Sequence, residues 1–243
     1  MDYSLKYFQY NEHSILIEWP AIIDENILKS ILNFKNSIQK KYIKQKVEVI
    51  NSYNSILIIY NFTIDSVNDK FLELKSLYEA QKSILDFQSS IWEIPVCYNR
   101  KFGEDLDGFS KEKGLEIPEL IKLHSEQIYT VFFIGFLPGF LYLGGLYNKL
   151  HLDRKATPNL NVKKGSVAIG GQQTGIYPQD SPGGWHIIGR TPIELFNANV
   201  NPPCFIESGD KIKFKPIDKS EYIDINERIT KSSFQLKPVK KNV

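Results

Sequence analysis

Between residues 13 and 98 the apolar positions fall into six blocks of regular spacing. HSILIEW (13–19) is a short apolar run of strand type. Asp24 can then cap a helix in which Ile27, Leu28, Ile31, Leu32 and Ile38 recur at helical spacing. VEVI (47–50) and SILIIY (55–60) read as strands separated by the turn-forming NSYN. A second helix is predicted over 66–84, with Phe71, Leu72, Leu74, Leu77 and Tyr78 on its apolar side, and IWEIPVCY (91–98) reads as a last strand. The order β-α-β-β-α-β is that of a split βαβ, ferredoxin-like unit, and it predicts an N-terminal α/β domain over residues 1–92.

From about residue 99 the rhythm changes. NRKFGEDLDGFSKEKG is polar and charged and reads as a surface loop or link, followed by a short helix over EIPELIKLHSEQ (116–127). Short β-type runs then alternate with turns: IYTVFFIGF, GSVAIGG, GWHIIGR, PIELF and DKIKFKPI. Short strands with glycine and proline at their joints predict a compact β-barrel or sandwich over 93–220. Residues 221–243, ending KPVKKNV, read as a frayed basic tail. The fold class is therefore α+β, an α/β domain followed by a β-barrel.

Composition sharpens this division. Of fifteen glycines none precedes Gly103, and eleven lie between Gly135 and Gly189, so the special backbone is confined to the barrel. The 243 residues are 42% hydrophobic and 24% charged, with a net charge of +2, which gives no electrostatic footprint for nucleic acid or an anionic membrane. Cys97 and Cys204 have no metal-site or disulfide-framework spacing, and no metal is expected. The start of the chain has no leader pattern and no window approaches a membrane span, so the expected location is the cytoplasm.

Two blocks concentrate the candidate chemistry: GFLPGFLYLGG (135–145), with Phe136, Phe140 and Tyr142, and residues 170–192, with Tyr177 and Trp185. Rigid loops with free amides can cradle anions, and aromatics give such a pocket apolar walls. The same composition also builds tight barrel corners, and texture alone does not separate the two. Gly139–Gly144 has the spacing of a phosphate loop but lacks the lysine and hydroxyl that would follow it. No GxSxG or HExxH motif occurs. Ser166 and Ser181 would need an adjacent base to act as nucleophiles, and His124 and His186 are possible proton carriers or ordinary residues. Arginine is scarce, four against twenty-six lysines, which makes Arg190 the strongest single candidate for a carboxylate or phosphate contact. The alternative is a structural pair with Glu194 or Asp180.

The strings FFIGFLPGFLYLGGL (132–146), GSVAIGGQQTGIYPQDSPGGWHIIGRTPIELF (165–196) and ESGDKIKFKPI (207–217), with IPVCYNRKFGEDL before them, closely resemble the family of the 5-oxoprolinase B subunit. That family is also called allophanate hydrolase subunit 1 and includes an inhibitor of a sporulation histidine kinase. The resemblance implies a cyclophilin-like barrel after an N-terminal α/β domain. It further implies a homologous second barrel subunit and a lactam-hydrolysing subunit, which together open 5-oxoproline to glutamate at the expense of ATP; because this chain has no phosphate loop, ATP is expected across the joint with a partner or on it. Two other roles are implied as alternatives: inhibition of a histidine kinase, or carboxyltransferase-type work on a urea-like amide. By the same resemblance Phe136, Pro138, Gly139, Tyr142, Gln173, Thr174, Tyr177, Gly183, Gly184, Trp185 and Arg190 are pocket or interface positions. Where the family commonly shows two Pro-Arg pairs and a Pro-Ala-Gly turn, this chain has Asp153-Arg154, Pro158-Asn159 and Lys163-Lys164-Gly165. Asn159 replaces the second arginine, leaving Arg154, Lys155, Lys163 and Lys164 as candidate anion contacts.

Overall fold

In a computed structural model of the protein, residues 3–45, 47–80 and 89–241 are described. The chain divides into two units, residues 1–87 and 88–243. The first begins with a hairpin of β1 (Lys6–Asn11) and β2 (Ser14–Glu18), followed by α1 (Glu25–Lys41), β3 (Glu48–Asn51), β4 (Ser55–Ile59) and α2 (Val67–Glu79). Asp24 caps α1 as expected, accepting hydrogen bonds from Asn26 N at 2.8 Å and Ile27 N at 3.2 Å. The strands form one antiparallel sheet in the order β1-β2-β4-β3. Alternate residues Ile15, Ile17, Ile56 and Ile58 point into a core with Ile27, Ile31, Phe34 and Ile38 of α1. The end of the expected 66–84 helix lies outside the described residues.

The strand expected to complete a split βαβ is placed elsewhere. Residues 90–97 join the second unit, and the sheet edge beside β2 is taken by β1, whose KYFQYN pattern carries no clear apolar face. The physical reason is side-chain demand: none of the eight residues of SIWEIPVC is exposed, as a strand packed from two sides requires.

The second unit runs β5 (Ser90–Cys97), α3 (Leu106–Lys113), α4 (Ile117–Ser125), β6 (Ile128–Ile134), β7 (Leu141–Gly144), β8 (Asn159–Val162), β9 (Ser166–Gly170), β10 (Gln173–Ile176), β11 (Ser181–Gly183), β12 (His186–Arg190), β13 (Lys211–Ile217), α5 (Lys219–Thr230) and β14 (Lys240–Lys241). Seven strands close a barrel in the order β12-β9-β10-β7-β6-β13-β5, and β5 returns to β12 where Cys97 opposes Arg190. β5 and β13 are parallel and the other neighbours antiparallel. Ile94, Val96, Val131, Leu141, Leu143, Val167, Ile169, Ile176, Ile188, Ile212 and Phe214 share one core. Intervening residues Ala168 and Ile187 belong to a second cluster with Phe140, Val162, Tyr177 and Trp185, with Tyr142 packed on it. Since neighbouring residues of a strand face opposite sides, the barrel wall carries an apolar cluster on each face.

Three expectations for this unit are corrected. The segment read as a loop contains α3, which buries Leu106 and Phe109 one turn apart and ends on Gly114 in the left-handed conformation at φ 62°. PIELF forms no ladder among the described residues: Ile193 and Leu195 are buried and Glu194 exposed, with no described strand paired to them. The stretch read as a tail from 221 lies largely in α5, capped by Asp218, with Ile225 buried and Tyr222, Ile229, Phe234 and Leu236 packed on the barrel core.

Candidate functional site

The glycine-aromatic blocks meet on the outer face of β7, β10 and β9. Tyr142 opposes Gly175, which opposes Ala168, and Gln173 opposes Gly170. The glycines are needed because aromatic rings rest directly on the sheet. A Cβ on Gly170 would come within 2.5–2.6 Å of three Trp185 ring atoms, and one on Gly175 within 3.0 Å of the same ring. Phe140 is the hub, with its ring centre 5.5 Å from Trp185, 5.1 Å from Tyr177, 4.8 Å from Tyr142 and 5.7 Å from Phe136. Most of these contacts are edge-to-face, the arrangement the ring quadrupoles favour.

Burial sorts the cluster. Phe140, Tyr177 and Trp185 are buried and act as the floor, whereas Tyr142, Gln173, Gly183 and Gly184 are half-buried and Phe136, Pro138 and Arg154 exposed. The Arg154 guanidinium carbon lies 5.7 Å from the Trp185 ring centre, a cation–π placement. Tyr142 stacks on Phe133 at 4.1 Å. Burial raises the Tyr142 hydroxyl above its ordinary value of 10, with Arg154 pulling the other way, so it stays protonated and is a hydrogen-bond donor at neutral pH. The Gln173 Oε1 is buried without a hydrogen-bond partner. Phe136 is 65% exposed and sits at φ 65°, a conformation that costs a side chain roughly 1–2 kcal/mol. Gly139 adopts φ 84°, and a Cβ there would press on Phe196. Tyr142, Arg154 and Phe136 thus form an accessible polar-aromatic rim over a buried aromatic floor, and Gln173 stands half-buried on the same strand face.

The remaining candidates lie elsewhere. Thr174 alternates with Gln173 and Gly175 and faces the barrel interior. There its hydroxyl donates to Ala168 O at 2.9 Å and meets His124 Nε2 at 2.9 Å. Because the Thr174 proton is spent on Ala168, its oxygen accepts from Nε2–H, and the other ring nitrogen, Nδ1, accepts from the Tyr98 hydroxyl at 2.7 Å. Complete burial lowers His124 to about 3, so it is neutral and structural. Ser181 Oγ is buried without a partner, and Ser166 is buried in β9. His186 Nε2 contacts Asp153 O at 2.8 Å. Arg190 sits at the far end of β12 from Trp185; five residues of strand separate their Cα atoms by about 16 Å, so the two do not wall one small pocket.

Lys163 pairs with Asp180 at 3.0 Å and Lys164 with Glu194 at 2.6 Å, on the surface. Lys155 pairs with Asp105 at 2.5 Å. Asn159, where the second arginine was expected, donates to Glu104 at 2.6 Å. An arginine at that position would find the Glu104 carboxylate beside it. Phe133 and Phe102 are the contacts that sequence reasoning missed; Phe133 lies inside the 132–146 string. Among the described residues no group of three or more His, Cys, Asp or Glu side chains is placed to hold a metal ion, and no helix is long and apolar enough to cross a membrane.

The family model described as carboxyltransferase domain, subdomain C and D, matches residues 5–206, which include most of the closed barrel and its aromatic outer face. The 5-oxoprolinase B subunit of Haemophilus influenzae is 44% identical over 195 residues, covering 80% of this chain and 89% of that one. A conserved uncharacterized protein from Pyrococcus horikoshii is 36% identical, with a TM-score of 0.53 over 89% of this chain and all of its own. The urea carboxylase of Kluyveromyces lactis superposes with a TM-score of 0.81 over 98% of this chain at 17% identity, which speaks for the fold. The chain spans 24% of that enzyme and 40% of another matched crystal structure. The chain belongs to the carboxyltransferase subdomain C and D family and, within it, to the family of 5-oxoprolinase B subunits.

Proposed function

We propose that the protein is the B subunit of an ATP-dependent 5-oxoprolinase working in the cytoplasm with a homologous barrel subunit and a lactam-hydrolysing subunit. In the overall reaction water adds across the lactam C–N bond of 5-oxoproline to give glutamate, coupled to ATP hydrolysis. The observation that carries this reading is the 44% identity to the B subunit of a 5-oxoprolinase over most of both chains. On the same resemblance the barrel is read as cyclophilin-like.

The rim fits such a substrate. A five-membered lactam is flat and bears one carboxylate; Arg154 is a guanidinium for the carboxylate, and Tyr142 offers an aromatic face and a hydroxyl donor. Gln173, half-buried on the same strand face, is read as a further polar group of this surface, and its Oε1, buried and unpartnered, would have to turn outward to accept from the lactam N–H. This chain's contribution is binding and orientation. Gly139–Gly144 does not fit the phosphates of ATP: Leu141–Leu143 are paired on both sides in the barrel and Gly144 on one, so their amides are not a free cradle for an anion. No ATP chemistry is assigned to this chain.

Reconstitution tests the proposal. The purified chain, mixed with the two expected partner subunits, should support glutamate formation that needs both ATP and 5-oxoproline. Full activity of the partners without this chain would refute it.

A further inference from the structure

Arg190 has an environment that the substrate rim does not explain. It ends β12 at the seam where the barrel closes, opposite Cys97 and Ser166. Its guanidinium carbon lies 5.3 Å from the Phe102 ring centre, and Phe102 in turn packs on Tyr222 at 4.4 Å. Its Nε is buried with no hydrogen-bond partner, while the residue as a whole stays half-buried.

The carboxylates expected to pair with it are used by other groups. Asp180 accepts from Lys164 N at 2.7 Å on one oxygen and from Lys163 Nζ at 3.0 Å on the other. Glu194 accepts from Lys164 Nζ at 2.6 Å and from Asn197 Nδ2 at 3.3 Å. The Asp180 carboxyl is held below its ordinary range by the Lys164 N–H, by Lys163 and, at longer range, by the charge of Arg190, yet both its oxygens are hydrogen-bonded to the lysines and no carboxylate is hydrogen-bonded to the Arg190 fork among the described residues. A partly desolvated guanidinium whose Nε–H is unpartnered is costly, and the cost is offset when an oxoanion takes its planar fork. Exposed pairs such as Lys163–Asp180 contribute about 0–1 kcal/mol, so both lysines can turn to an arriving anion at little expense.

We propose that Arg190, backed by Phe102 and flanked by Lys163 and Lys164, is the centre of an oxoanion site at the barrel seam, separate from the Arg154 rim and taking a phosphate or carboxylate group. The site is a property of this chain alone, so its test does not depend on the oxoprolinase reading. In 15N-labelled full-length protein, the Arg190 Nε–H resonance is identified by its loss in Arg190→Gln and Arg190→Lys. Inorganic phosphate and acetate are titrated separately, with ionic strength held by chloride. A saturable shift of that resonance is expected. Saturation by phosphate alone assigns the site to phosphate groups; saturation by acetate, alone or with phosphate, assigns it to carboxylates. Arg190→Lys should weaken the same anion by about tenfold, followed by the thermal shift the anion produces. A shift that never saturates with either anion, or equal affinity in the lysine variant, would overturn the site.

Discussion

In the first unit, isoleucines at alternating strand positions meet a helix face of Ile27, Ile31, Phe34 and Ile38, and no glycine takes part. In the second, the barrel's outer face is filled by rings lying on Gly170 and Gly175, and its interior holds the hydrogen-bonded chain Tyr98–His124–Thr174. The first arrangement depends on how much apolar surface is buried, the second on atoms having one particular place. Volume can be redistributed among neighbouring side chains, but a ring seated on a glycine or a histidine locked in one tautomer has no alternative nearby. The two units should therefore respond differently to acid and to single methyl groups.

Acid should produce the largest difference. His124 has its folded value lowered from 6.5 to about 3, so between those limits the unfolded chain binds a proton that the folded barrel refuses. Stability of the barrel then falls as pH drops below 6.5, by up to about 1.4 kcal/mol per pH unit. In the first unit, burial pushes the Glu73 carboxyl up, but hydrogen bonds from Lys70, Lys41 and Tyr42 outweigh this and hold it below its ordinary 4.5. Its contribution is present above pH 4.5 and is lost only as pH falls through the lower folded value. Hydrogen exchange between pH 6.5 and 4.5 should show protection falling in the barrel and holding in residues 3–79, with the slope removed by His124→Gln. Equal losses in both units would break the contrast.

One methyl group sharpens it further. Gly170→Ala forces a Cβ into the Trp185 ring and should destabilise by about 1–3 kcal/mol in denaturant unfolding. Gly108→Ala, exposed inside α3 with nothing within 4 Å, should stabilise by about 0.5–1 kcal/mol. The same substitution thus changes sign with the space around it. An effect of similar size belongs to the first unit: Asp24→Ala removes the α1 cap and should cost about 1 kcal/mol.

Legibility followed the same contrast. The periodicity of α1, β3 and β4 was readable because one face of each is consistently apolar. β1 was missed because its residues are almost all exposed, and α5 because its apolar set is thin: Tyr222, Ile225 and Ile229. The fate of residues 90–97 was not legible, since which sheet a strand joins depends on distant pairings with β13. At the site, the glycine-aromatic strings marked Phe136, Tyr142 and Trp185 through composition. That Thr174 turns inward while Gln173 turns outward is a matter of strand parity, which needs the strand's register first. Arg190 looked continuous with the Trp185 block because the two are close in sequence, yet an extended strand carries them apart.

The central claim is that the Arg154 rim holds the lactam carboxylate. The most direct measurement is the dependence of glutamate formation on 5-oxoproline concentration in the reconstituted complex, wild type against Arg154→Gln. Loss of a charge-assisted contact of about 1.5–3 kcal/mol should raise KM for 5-oxoproline roughly 10- to 100-fold, with kcat changed far less. An unchanged KM in a folded Arg154→Gln complex would contradict the account.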